Sequence, residues 1–149
     1  MARLDNVRLD AWRRMQRLVG DIERRVDAEL RAEWDIGLGW FDVLAALRAT
    51  GTVRPSVLAD ELQMVPSSLS RRLDHLEAEG WVERRPAVGD DKRAVVVELT
   101  TRGRQLWREM LVTYRRSVQA QFAGVLDDGD IAALHSAFDR LDEVITDEL

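Results

Sequence analysis

Between Pro66 and Gly80 the chain reads Ser67-Ser68-Leu69-Ser70-Arg71-Arg72-Leu73-Asp74-His75-Leu76. On a helical wheel Leu73 and Leu76 lie within about 40° of Leu69, whereas Ser67, Ser70, Arg71, Asp74 and His75 lie roughly 100° to 240° away. The outward side of this helix therefore offers short hydroxyls and a guanidinium, groups that hydrogen-bond base edges or phosphate oxygens. Serines near a helix start also cap its free N–H groups, and the two uses are compatible. Further on, the turn Gly89-Asp90-Asp91-Lys92-Arg93 separates two strand-like runs. Arg93 has Lys92 beside it and Asp91 two positions earlier. A carboxylate steadies an arginine in one orientation, and an oriented guanidinium is what a narrow, electronegative minor groove attracts.

These residues need elements to hold them. Pro55 opens a short helix over Ser56 to Gln63 with Val57, Leu58 and Leu62 on its apolar face, and Pro66 opens the next in the same way. Gly80 closes that second helix. Trp81 to Arg85 and the β-branched run Ala94 to Leu99 then form a β-hairpin, with Val95, Val97 and Leu99 on one face. Thr100 N-caps a long helix from Arg102 to about Leu126, carrying Leu106, Met110, Tyr114, Val118, Phe122 and Val125. Asp127 and Asp128 begin a last helix with Ile131, Leu134, Phe138, Leu141 and Ile145. At the other end, Leu4, Val7, Ala11, Met15, Leu18, Ile22, Val26 and Leu30 make a stripe of roughly 40 Å at 1.5 Å per residue. A largely buried helix, Trp40 to Arg48, follows it and stops at Thr50-Gly51.

Composition narrows the chemistry. The chain has 149 residues, no cysteine and two histidines, His75 and His135. Disulfides, thiolate metal sites and a cysteine nucleophile are excluded within it, and a multi-histidine metal site cannot be built from one copy. No apolar run is long enough for a membrane span, the N-terminus lacks the apolar core of a signal peptide, and the expectation is a cytoplasmic protein. No Gly-rich phosphate loop, nucleophile elbow or suggestively spaced His-carboxylate pair is visible, so the expectation is not an enzyme, with no cofactor. The net charge of −5 is, taken whole, unsuited to a polyanionic partner. Yet the span Arg54 to Arg104 holds nine basic and nine acidic residues, so the acidity belongs to the ends.

Helix, turn, helix and hairpin in that order describe a winged helix-turn-helix, whose second helix enters the major groove while the hairpin reaches the minor groove or backbone. The run Leu76-Glu77-Ala78-Glu79-Gly80-Trp81-Val82-Glu83-Arg84, then Asp91-Lys92-Arg93-Ala94-Val95-Val96-Val97-Glu98-Leu99-Thr100 with Gly103, strongly resembles the multiple-antibiotic-resistance-regulator (MarR) family. Its wing pattern, Asp-x-Arg before a β-branched strand and Leu-Thr-x-x-Gly, is met position for position. The resemblance implies a mainly α fold with a small β-wing. The winged helix-turn-helix, 36–103 with its wing at 81–100, would be flanked by helical dimerisation regions at 1–35 and 104–149. It implies a homodimer on a pseudo-palindromic operator in double-stranded DNA, acting as a transcriptional repressor and often released by a small molecule. By position, Ser67, Ser68, Ser70 and Arg71 are the major-groove and phosphate contacts, and Arg93 with Lys92 is the wing contact, oriented by Asp91. The long terminal stripes agree with a partner copy, which is the economical way to bury them.

Among the five tryptophans, Trp12 on the first helix and Trp40 with Phe41 on the second fall where the family's ligand pockets lie. With Met15 they are the expected site for a small aromatic or anionic effector, set against the ordinary use of tryptophan in cores and interfaces. The two histidines read as exposed or hydrogen-bonded helix residues. The rival reading of the whole chain is a winged-helix dimer that serves only protein contacts, without ligand control or DNA binding.

Overall fold

The computed structural model describes residues 3–89 and 94–147. The elements are α1 (Asn6–Trp34), α2 (Leu38–Thr50), α3 (Pro55–Glu61), α4 (Pro66–Ala78), β1 (Val82–Pro86), β2 (Val95–Leu99), α5 (Thr101–Val118) and α6 (Asp128–Asp147). A π-helical turn, Gln119–Ala123, follows α5 directly. The fold is the expected one, mainly α with a two-stranded antiparallel wing.

The chain divides into two compact units: Glu23–Tyr114, and Met1–Ile22 together with Arg115–Leu149. The central unit contains every buried apolar side chain among the described residues, including Leu30, Leu44, Leu58, Leu69, Leu73, Leu76, Val97 and Met110. Its junctions are made by specific polar groups. Asp27 on α1 accepts a 2.8 Å bond from the Leu38 N–H, so a carboxylate eleven residues away satisfies the start of α2. Burial opposes ionisation of Asp27, but the hydrogen bonds from Arg31 and Leu38 and the Arg31 charge prevail and hold its pKa below the usual value. Trp34 Nε1 donates to Thr113 Oγ1 at 3.0 Å, and that hydroxyl donates to Glu33 at 2.5 Å, which fastens α1 to α5. Phe41 is buried and stacks on Tyr114 with ring centroids 4.6 Å apart.

The wing is a tight ladder, Val82 opposite Leu99 through Pro86 opposite Val95. β2 gains a second neighbour: Val53 and Val97 exchange both backbone bonds, at 3.1 and 2.8 Å. Val97, fully buried, thus sits in the middle of three extended segments.

In the other unit, Asp5 accepts from the Arg8 N–H and begins α1. Asp127 and Asp130 bond each other's backbone N–H groups at the start of α6, a reciprocal capping box. The helix expected to run unbroken to Leu126 instead leaves α-helical geometry after Val118. The Gly124 N–H reaches back five residues to the Gln119 carbonyl at 2.8 Å. A side chain at 124 would meet that carbonyl at 2.8 Å, so the turn fits a glycine. Leu4, Val7, Trp12, Leu18, Val19, Val125, Phe138, Leu141, Val144 and Ile145 are all exposed in the single chain.

Candidate nucleic-acid interface

The candidate interface is built on α3 and α4. The turn between them is a Schellman closure: the Met64 N–H bonds the Ala59 carbonyl at 2.9 Å and the Gln63 N–H bonds Asp60 at 3.1 Å. It places Gln63 at φ 51°, a left-handed conformation usually left to glycine. Pro66 then supplies the first turn of α4, with Val65 as its N-cap and no side-chain cap bond. The capping role open to the serines is therefore not used at this N-cap. Ser67, Ser68, Ser70 and Arg71 are all exposed, while Leu69, Leu73 and Leu76 are buried. The expected separation of faces is present.

The far end of α4 is bound to the wing by a second Schellman closure. The Trp81 N–H reaches the Leu76 carbonyl at 2.9 Å and the Gly80 N–H reaches Glu77 at 2.9 Å, with Gly80 at φ 77°. Thr100 extends the lacing. Its hydroxyl donates to the Gly80 carbonyl at 2.7 Å and accepts from the Gly103 N–H at 3.0 Å, so it caps α5 as its position implies.

Sequence reasoning missed two arginines here. Arg84 on β1 donates to Asp74 Oδ1 at 2.7 Å and to the Ser70 carbonyl at 3.3 Å. A usable signal existed, since Arg84 has the parity of buried Val82 and so faces the helices. Arg85, of opposite parity, pairs with Glu98 at 3.1 Å. Glu98 also accepts from Thr52 at 2.8 Å. That hydroxyl bond, with help from Glu83 and Arg85 and against burial, holds the Glu98 carboxyl below its ordinary value.

Asp91, Lys92 and Arg93 lie outside the described residues. The four expected effector residues do not form a single cluster within either unit. Trp12 and Met15 belong to the unit of terminal helices, and Trp40 and Phe41 to the central one. Met15 lines an apolar groove of about 590 Å³ with Leu18, Phe122 and Phe138. Trp40 is half-buried against His75, ring centroids 4.8 Å apart, with the Arg72 guanidinium 6.0 Å over its ring. Phe41 is packed in the core, and both histidines are exposed.

Two helices closed by a tight turn, the second laced to an antiparallel hairpin, define a winged helix-turn-helix. Residues 34–94 match the MarR family profile. The HTH-type transcriptional regulator PecS of Dickeya dadantii is 36% identical over 85 residues, 55% of this chain and 50% of PecS. The multiple antibiotic resistance protein MarR of Escherichia coli is 37% identical over 90 residues, 60% of this chain and 62% of MarR. The matched stretch thus spans half to about three-fifths of these relatives. A mutant E. coli MarR solved in complex with operator DNA superposes with a TM-score of 0.78 at 26% identity, covering 94% of this chain and 99% of that one. The fold is that of a winged-helix protein, and over residues 34–94 the chain is similar to the MarR family. That family consists of transcriptional regulators rather than enzymes.

Proposed function

We propose that this chain is a homodimeric regulator of transcription that binds a pseudo-palindromic operator, with α4 in the major groove and the wing tip in the flanking minor groove. The observation that carries the reading is the exposed Ser67, Ser68, Ser70 and Arg71 face, presented by a helix whose two ends are both locked. The operator complex of its E. coli relative supports the same use of the fold. Arg93, with Lys92 and with Asp91 as its orienter, is the proposed wing contact.

The terminal helices, 1–35 and 104–149, are the proposed dimerisation region. Support comes from their exposed apolar residues, Leu18, Phe138, Leu141 and Ile145 among them, which a second copy would cover. Two winged domains joined this way place two recognition helices about 34 Å apart, one DNA turn. The reading makes the chain a repressor at work in the cytoplasm; no helix among the described residues is long and apolar enough to cross a membrane. Release by a small aromatic or anionic compound belongs to the same proposal. Its support is Trp40 with Arg72 over its ring, an aromatic face beside a cation, while Trp12 offers a second exposed ring.

Footprinting on the DNA upstream of the chain's own gene tests the reading. Two protected half-sites related by a dyad, about 10 base pairs apart centre to centre, are expected. Uniform protection, or none, would contradict it.

A further inference from the structure

We propose that Arg84 is a positioning residue, one that sets the rotation of α4 against the wing and so decides how the Ser67 and Arg71 face meets a duplex. This rests on the DNA-binding reading above. Arg84 stands opposite Val97 in the ladder, at the part of the wing that Val53 secures from the other side. Its side chain is only 25% exposed. From that fixed base the guanidinium addresses three groups of α4: Asp74 Oδ1 at 2.7 Å, the Ser70 carbonyl at 3.3 Å and Glu77 Oε2 at 3.9 Å.

Positions 70, 74 and 77 form one stripe along the helix, about 80° to 140° from Leu69 on the wheel. The stripe lies between the buried leucines and the outward Ser67 and Arg71. Packing of Leu69, Leu73 and Leu76 holds α4 against the core, but apolar contact is non-directional and tolerates a small rotation of the helix. The three polar contacts do not, because a planar guanidinium satisfies several acceptors only in one arrangement. Asp74 and Glu77 are 64% and 45% exposed. Ion pairs so exposed add little to stability. Arg84 therefore contributes direction more than cohesion, with both of its terminal nitrogens hydrogen-bonded to α4.

The test uses the full chain and the upstream duplex found by footprinting, with a scrambled duplex of the same composition. Arg84→Lys, Asp74→Asn and the double variant are titrated by fluorescence anisotropy over a range of salt. Hydrogen exchange of the β1 and α4 amides is followed without DNA. Arg84→Lys should lower the ratio of specific to scrambled affinity by about tenfold with the slope of log K against log salt unchanged, since the phosphate contacts all remain. Asp74→Asn should lower the ratio similarly and the double variant no further, the pattern of two residues acting as one unit. Melting temperatures should stay within a few degrees of the parent, and amides of β1 and of the wing-facing side of α4 should exchange faster in Arg84→Lys.

Additive losses, a salt slope reduced by about one, or an unchanged ratio would overturn the role. Faster exchange in Arg84→Lys, with a parent chain that does not distinguish the two duplexes, would remove the DNA reading and leave only a structural tie. Unchanged exchange with a discriminating parent would remove the tie and leave the DNA reading standing.

Discussion

The carbonyl oxygen of Trp81 occupies the space that a side chain on Gly103 would need: a Cβ there would lie 1.9 Å away. The obstacle is backbone, held in turn by the Thr100 N–H at 3.0 Å, so neither partner can step aside. Gly103→Ala is expected to destabilise the chain by about 3 kcal/mol, the upper end of overpacking costs, because α5 must shift off the wing. Chemical denaturation measures it. A loss below about 0.5 kcal/mol, the range of an ordinary surface change, would mean that the contact relaxes freely.

Gln63 gives a prediction of the opposite sign. At φ 51° it holds the turn between α3 and α4 in a conformation that costs a residue with a Cβ about 1 kcal/mol or more. Gln63→Gly should therefore raise the unfolding free energy by roughly 0.5–1 kcal/mol, after allowing for the greater freedom glycine adds to the unfolded chain. Thermal unfolding reads the change, and a lower melting temperature would show that the Gln63 side chain contributes more than its backbone costs.

How much of this was legible depends on how local each signal is. The faces of α4 could be read because leucines three and four apart define a helix side with no knowledge of its surroundings. The wing and the Leu-Thr-x-x-Gly motif could be read because Thr100 caps a helix that begins at the next residue. Arg84 and Asp74 are ten residues apart across a helix end and a strand, and nothing in either segment alone announces the pair. The same holds for Asp27 with Leu38. The π turn escaped because Val118, Phe122 and Val125 fit an unbroken helix equally well. Phe41 is a further case: its aromatic type is plain in the sequence, but its stack on Tyr114, 73 residues on, is not.

The acid response of the wing follows from Glu98. Its folded pKa lies below the ordinary 4.5, first because of the Thr52 hydroxyl. A depressed carboxylate stabilises the folded state fully above its unfolded value, and that stabilisation fades as pH falls through the folded value. Thr52→Val removes the largest favourable contact and should move the Glu98 titration upward toward 4.5. Carbon-detected NMR of the side-chain carboxyl reads it directly. An unmoved midpoint would assign the depression to Arg85 and Glu83 instead.

The unit of terminal helices has its own test. Leu18 and Leu141 are 45% and 53% exposed in the single chain, and a second copy is proposed to bury them. Leu18→Glu and Leu141→Glu should each weaken self-association by about 100-fold or more, since each would bury an unpaired carboxylate in an apolar interface. Sedimentation equilibrium measures the association. A parent chain monomeric at high micromolar concentration would contradict the proposed dimer.

The central claim is sequence-specific binding through α4 and the wing, and an anisotropy titration at fixed, near-physiological salt tests it most directly. The parent chain should bind the upstream duplex about 1,000-fold or more tighter than a scrambled one. Arg93→Ala should weaken that binding by roughly 1–3 kcal/mol and, when the titration is repeated across salt, lower the slope by about one for each phosphate the arginine neutralises. Equal affinity of the parent chain for the two duplexes would contradict the account.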